Sequence, residues 1–130
     1  MTPEKDAELC KKYPMLFSQR TADIKESCMG FGIECGDGWY DLIDELSAKL
    51  EAINEALPRK ERIEAAQLKE KFGTLRFYTG PVPNSVSEEV FKLIEEAEHK
   101  SAKICEGCGK PGKSIVKNGW VSTLCAKCRK

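Results

Sequence analysis

Between Trp39 and Leu57 apolar residues return every three or four positions: Trp39, Leu42, Ile43, Leu46, Leu50, Ile53 and Leu57. That period lays one stripe along a helix predicted over 38–57, with Asp37 as its N-cap and Pro58 as its stop. Asp41, Glu45 and Lys49 fall on the opposite face, where Glu45 and Lys49 are spaced for an (i, i+4) pair. The stripe reads as core-facing. A second helical period runs through Val86, Val90, Leu93, Ile94, Ala97 and Ser101, and Ser85 with Glu88 has the spacing of a capping box at its start. This helix is expected to reach about Lys103. Thr2-Pro3-Glu4 predicts a short N-terminal helix to about Lys12, ended by Tyr13-Pro14. Residues 14–30 show no clear period; Met15, Leu16 and Phe17 are expected on the core, with a turn of helix around Ile24.

The period changes to two in 63–79, which predicts a β-hairpin. With Phe72-Gly73 as its turn, Lys71 faces Thr74 and Leu68 faces Phe77. Ala66, Leu68, Leu75, Phe77 and Thr79 then share one face, with Glu70 as a polar exception. Gln67, Lys69, Lys71, Thr74, Arg76 and Tyr78 share the other. Phe72 sits awkwardly in a turn that asks for positive φ. The second face interleaves three cations with one aromatic ring. It is either the solvated side of a hairpin or a strip on which a nucleic-acid strand can stack.

Of seven cysteines, the last four read C-x2-C-x16-C-x2-C: Cys105, Cys108, Cys125 and Cys128. Two intervening residues let both sulfurs of a pair reach one ion from a tight knuckle. Two such knuckles complete a closed tetrahedral site, which suits one structural Zn²⁺ per chain. Between them, Asn118-Gly119 joins Ser114–Lys117 to Trp120–Leu124, the strongest two-residue hairpin signal. Residues 104–130 therefore read as a zinc ribbon. Two disulfides or a redox C-x-x-C pair are the competing readings, disfavoured by a reducing compartment and by the lack of a thioredoxin-like pattern. So short a segment has too little core to fold without its metal. Cys10, Cys28 and Cys35 have no ligand spacing and read as ordinary thiols. A second site joining them to His99, the one histidine, is the alternative.

The chain of 130 residues carries 21 Lys+Arg and 21 Asp+Glu. The balance is uneven: residues 1–60 are net −4, 61–100 net −2 and 101–130 net +6. Four thiolates on one Zn²⁺ trim the ribbon to about +4. The result is an acidic body and a basic tip, which excludes a uniformly basic nucleic-acid wrapper. No membrane span and no secretory leader are read, so a cytoplasmic location is expected. The layout is α+β, with helices packed on a β-hairpin (residues 1–103) and a four-cysteine ribbon tip (104–130) continuous with the helix before it.

The segments Gly32-Ile33-Glu34-Cys35-Gly36-Asp37-Gly38-Trp39, Leu42-Ile43-Asp44-Glu45-Leu46, Lys69-Glu70-Lys71-Phe72-Gly73-Thr74-Leu75-Arg76-Phe77-Tyr78 and the cysteine ribbon with Gly119-Trp120 stand together. In this combination the chain resembles a group of small uncharacterised proteins of bacteria and their phages over most of residues 30–128. The resemblance implies a phage or prophage setting and a role in redirecting a host protein. It supplies no catalytic residues.

An enzyme is not expected. The glycine-rich stretch 30–38 lacks the Lys-Ser/Thr of a phosphate loop and carries Glu34 and Asp37, which repel phosphate. Asp37, Asp41 and Asp44 are the one carboxylate group that invites a divalent ion, though Asp37 caps the helix on which the other two lie. No nucleophile–base set stands out. The favoured function is a protein-binding regulator or inhibitor. The alternative is nucleic-acid binding. Lys69, Lys71, Arg76, Tyr78, Lys113, Lys117 and Trp120 are the candidate contact residues for either partner, and neither a membrane nor a small-molecule substrate is expected.

Overall fold

A computed structural model describes residues 1–130. Three α-helices stand in chain order, α1 (Pro3–Lys12), α2 (Tyr40–Glu55) and α3 (Ser87–Ser101). Five strands accompany them, β1 (Ile33–Glu34), β2 (Ala65–Lys71), β3 (Thr74–Thr79), β4 (Lys113–Lys117) and β5 (Trp120–Leu124). The fold is α+β. No helix is long and apolar enough to cross a membrane.

The stripe of α2 meets α3 and the β2–β3 hairpin in one core that includes Trp39, Ile43, Leu50, Leu68, Leu75, Val90 and Ala97. Trp39 is fully buried, which contributes roughly 4–6 kcal/mol by area. Ile53 and Leu57, at the far end of the stripe, are only partly covered. The hairpin register agrees with the period-two pattern: Leu68 faces Phe77, Lys71 faces Thr74, and Phe72-Gly73 is the turn. A β-bulge between Ala65 and Gln67 shifts the phase, so Ala65 is fully buried where Ala66 was expected. β1 adds a short parallel partner, Ile33 against Leu68, and makes β2 the central strand.

The outer edge of β3 is closed by side chains of α3. Leu75 N–H donates to Ser101 Oγ at 2.8 Å and Phe77 N–H to Glu98 Oε2 at 3.0 Å. These bonds satisfy edge donors that would otherwise template another strand.

Irregular segments are tied down by polar side chains on helices. Asn54 of α2, fully buried, accepts from Ile63 N–H at 2.7 Å and donates to Ile63 C=O at 2.9 Å. Glu51, one turn earlier, accepts from the N–H groups of Met15 and Leu16. Asp6 of α1 accepts from Ile33 N–H and from the Arg20 guanidinium. These bonds give residues 14–30 their path: turns and two short 3-10 segments, Ser18–Thr21 and Cys28–Phe31, with Leu16 and Phe17 buried and Met15 half-covered. Ile24 lies in an exposed turn.

Two helix starts differ from expectation. Asp37 opens a 3-10 turn (Asp37–Trp39) and does not cap α2; its carboxylate instead accepts from Thr2 N–H at 2.8 Å, 35 positions away in the chain. The Ser85/Glu88 capping box does not form. α3 begins at Ser87 after a turn through Asn84–Val86, and Ser87 Oγ donates to Asn84 C=O. The proline-bearing loop 81–84 sets where the turn must close, and that outweighs a local capping preference.

Candidate metal centre and its surroundings

α3 ends at Ser101, and the chain turns within three residues into the first knuckle. Gly112 N–H donates to Lys103 C=O, Cys105 N–H to Lys110 C=O, and Gly109 N–H to Cys105 C=O. The second knuckle follows β5, where Arg129 N–H donates to Cys125 C=O. Asn118 and Gly119, at φ 52 and 82, close the β4–β5 hairpin between them, as the Asn-Gly signal requires.

The two knuckles bring Cys105, Cys108, Cys125 and Cys128 together, with all four Sγ atoms within 4.8 Å of one another. Cys108 and Cys125 sulfurs are 3.7 Å apart. A tetrahedral ion with metal–sulfur bonds near 2.3 Å separates its sulfurs by about 3.8 Å, so the quartet can hold a metal ion. Its local hydrogen bonds favour the thiolate at Cys105 and Cys125. Burial opposes the Cys105 anion, but backbone N–H groups of Cys125, Cys108 and Gly107 hold its pKa below the ordinary thiol value. The Cys128 N–H, 3.4 Å from Cys125 Sγ, is the main reason that thiol falls to about 6. Cys128 is pushed up to about 12 because it shares hydrogen bonds with Cys125, Cys105 and Cys108. Four sulfurs contending for protons are better served by a cation.

The ribbon is fastened to the body through the glycine-rich stretch. Gly38 N–H donates to Glu106 C=O and Gly36 N–H to Glu106 Oε2, both at 2.8 Å. Trp39 Nε1–H donates to Ile104 C=O at 2.8 Å. A Cβ on Gly38 would lie 2.1 Å from the Cys105 carbonyl oxygen, and one on Gly36 would lie 2.4 Å from that of Glu106. The glycines are there so that two backbones can touch. A second fastening links the far side: Thr123 Oγ1–H donates to Gly73 C=O at 2.5 Å, with Val121 beside it. Burial raises the Glu106 carboxyl above its usual range, against the opposing Gly36 N–H.

The candidate contact residues divide into groups. By register Lys69 and Arg76 are cross-strand partners, and Gln67 pairs with Tyr78 on the same face. Lys113, Lys117 and Trp120 share one face of β4–β5, with Lys117 opposite Trp120. Lys69, Lys71 and Trp120 meet in one cleft of about 400 Å³, together with Phe72 and Val121. Arg76 does not join it; it lines a separate groove with Thr74 and the end of α3. Tyr78, Lys113 and Lys117 line neither. The alternating pattern passed over Phe72 and Val116, which are 69% and 71% exposed, beside Trp120 at 76%. A large apolar residue immediately before the glycine of a two-residue turn was the signal for the first of them.

The remaining sequence candidates stay apart. The ribbon quartet is the one group of three or more His, Cys, Asp or Glu side chains whose ligand atoms converge. Cys35 is buried and Cys10 half-buried, and both thiols are pushed up to about 12, chiefly by desolvation. Cys28 is exposed, as is His99 on α3. Asp44 is held by Lys12 and Tyr13, whereas Asp37 is engaged by Thr2. No family model matches this chain, and no curated protein or solved structure matches it.

Proposed function

We propose that this chain is a non-catalytic zinc-ribbon protein that binds another protein through the Phe72–Trp120 cleft and acts on it as a regulator or inhibitor. The observation that carries the reading is Phe72. It is a bulky residue held at φ 54, a left-handed conformation suited to Asn or Gly, and its ring is 69% exposed. It breaks two local rules, and in return the fold gains one exposed contact, the Lys71 ammonium 5.6 Å from the ring centroid. Such violations collect at functional sites. Trp120 lies across the cleft, and exposed aromatic residues on a rigid support are the usual anchors of protein interfaces. The rigid support is the double fastening of the ribbon at Gly38 and Gly73. Four thiolates in tetrahedral disposition favour Zn²⁺. Because every coordination position is filled by protein, the ion is structural. Native mass spectrometry is expected to show one zinc per chain; no metal, or two disulfides, overturns that assignment.

A second reading, single-strand nucleic-acid binding, is favoured by Lys69 and Lys71 lining the same cleft as Trp120. One experiment separates them. Tagged wild type, Phe72→Asn and Trp120→Ala are used as baits after nuclease treatment. A stoichiometric protein captured by wild type and lost by both variants, with Trp120→Ala weakening its purified complex by about 30-fold or more, supports protein binding. Capture indifferent to both substitutions overturns it. So does a mobility shift with short DNA or RNA whose affinity falls steeply with salt, which establishes the second reading instead.

A further inference from the structure

We propose that the groove between β3 and the C-terminal end of α3 is a binding site for a small phosphomonoester, seated on Arg76. The groove is open to solvent, has a volume of about 670 Å³ and is lined by Thr74, Arg76, Glu98, His99, Lys100, Lys103 and the single apolar residue Ala102. It shares no lining residue with the Phe72–Trp120 cleft. Three cations face one carboxylate, and that carboxylate is already engaged, since Glu98 Oε2 accepts from Phe77 N–H.

Arg76 is the decisive residue. Lys100 stands 3.5 Å from Glu45 in an exposed pair, and the cations on the last turn of α3 answer the carbonyl end of that helix. Arg76 has neither excuse. It comes from a strand and belongs to none of the four ion pairs in the molecule. Its Nε–H is shut off from solvent with no acceptor. An unsatisfied buried donor is costly, and a turn of the guanidinium that brings Nε–H to a ligand oxygen in the groove removes the deficit. The guanidinium fork matches two oxygens of a phosphoryl group. A phosphomonoester carries about −1.5 to −2 at neutral pH, and the groove offers it Arg76 and Lys103, cations that belong to no ion pair. The volume exceeds that of phosphate alone and lies within the range of small-molecule sites. The lining is polar, so the rest of the ligand is hydroxylated rather than apolar, as in a sugar phosphate.

The test is a titration of the zinc-loaded full chain with inorganic phosphate, ribose 5-phosphate and ribose, followed by NMR of the Arg76 Nε–H and the His99 ring at pH 7.5. Saturable shifts at both residues are expected with the two phosphates and not with ribose, with ribose 5-phosphate the tighter. Arg76→Gln is expected to weaken binding at least about tenfold, and Lys103→Gln, at an exposed position, to weaken it too. Matching zinc content and melting temperature show that both variants fold. The proposal is overturned by an equal response to ribose, by an affinity unchanged in Arg76→Gln, or by no saturation below about 10 mM phosphate. Tighter binding of an oligonucleotide that lacks a terminal phosphate overturns the phosphomonoester class in favour of a nucleic-acid backbone.

Discussion

Gly38→Ala puts the smallest possible group where the ribbon rests on the body. Its Cβ would fall 2.1 Å from the Cys105 carbonyl oxygen, and a contact with that backbone at 3.0 Å needs the two chains to part by roughly 0.9 Å. The Gly38 N–H bond to Glu106 would stretch from 2.8 Å to roughly 3.7 Å, outside hydrogen-bonding range. The neighbouring bonds from Gly36 N–H and Trp39 Nε1 share the same contact and go with it. Three bonds at about 1 kcal/mol each make the loss about 3 kcal/mol. Cys105 is both fully buried at this contact and a member of the quartet, so the loss passes into metal affinity. Zinc binding is expected to weaken by about 100-fold, read by competition with a chromophoric chelator, and the melting temperature to fall. Gly80→Ala is the control, since its Cβ meets nothing closer than Glu64 C=O at 3.9 Å. A zinc affinity for Gly38→Ala within threefold of wild type, about 0.7 kcal/mol, would refute the docking argument.

Five further expectations follow from other parts of the molecule. Chelation is expected to melt 104–130 while far-UV circular dichroism keeps its helical signal, because α1, α2 and α3 all lie in 1–103; loss of that signal would show that the body cannot stand without the ribbon. Phe72→Asn rebuilds the Asn-Gly turn seen at 118–119 and is expected to raise stability by about 1 kcal/mol in urea melts, with no gain if the left-handed Phe72 is unstrained. Asn54→Ala leaves both polar groups of Ile63 unpaired inside the core and is expected to cost about 3 kcal/mol, measured by denaturant midpoint. With the Cys35 thiol at about 12 in the fold against 9.0 for an ordinary thiol, the folded state holds a proton that the unfolded chain releases. This thiol is therefore expected to take away roughly 1.4 kcal/mol of stability per pH unit as pH rises from 9 toward 12, a contribution that Cys35→Ala should remove. In the zinc-loaded protein at pH 8, iodoacetamide should label exposed Cys28 and spare Cys35; the reverse order would contradict the burial.

The clustering of the four ribbon cysteines was almost fully legible in the amino-acid order. Ligand spacing and an Asn-Gly turn are local constraints, and nothing distant competes with them between Cys105 and Cys128. The periods of α2, α3 and the β2–β3 hairpin were legible for the same reason, since the phase of an apolar stripe within one element decides which face can be buried. The phase failed only where backbone geometry intervened, as at the bulge that exchanges Ala66 for Ala65. The caps misled because Asp37 and Ser85 have good local roles open to them, yet long-range partners and loop closure set the outcome: Asp37 goes to Thr2.

What the sequence by itself determined is therefore the parts: an amphipathic α2, a hairpin turning at Phe72-Gly73, and four cysteines spaced to share one ion. Only the tertiary structure decided their arrangement. It revealed that Gly36 and Gly38 serve backbone contact with Glu106 and Cys105. It placed Lys69 and Lys71 with Phe72 and Trp120 while sending Arg76 to another groove, and it assigned Glu51 and Asn54 to the backbones of distant loops. The physical reason is common to all of these. Local patterns act through dihedrals and spacing within one element, whereas these contacts join groups tens of residues apart, whose meeting depends on how separate elements pack.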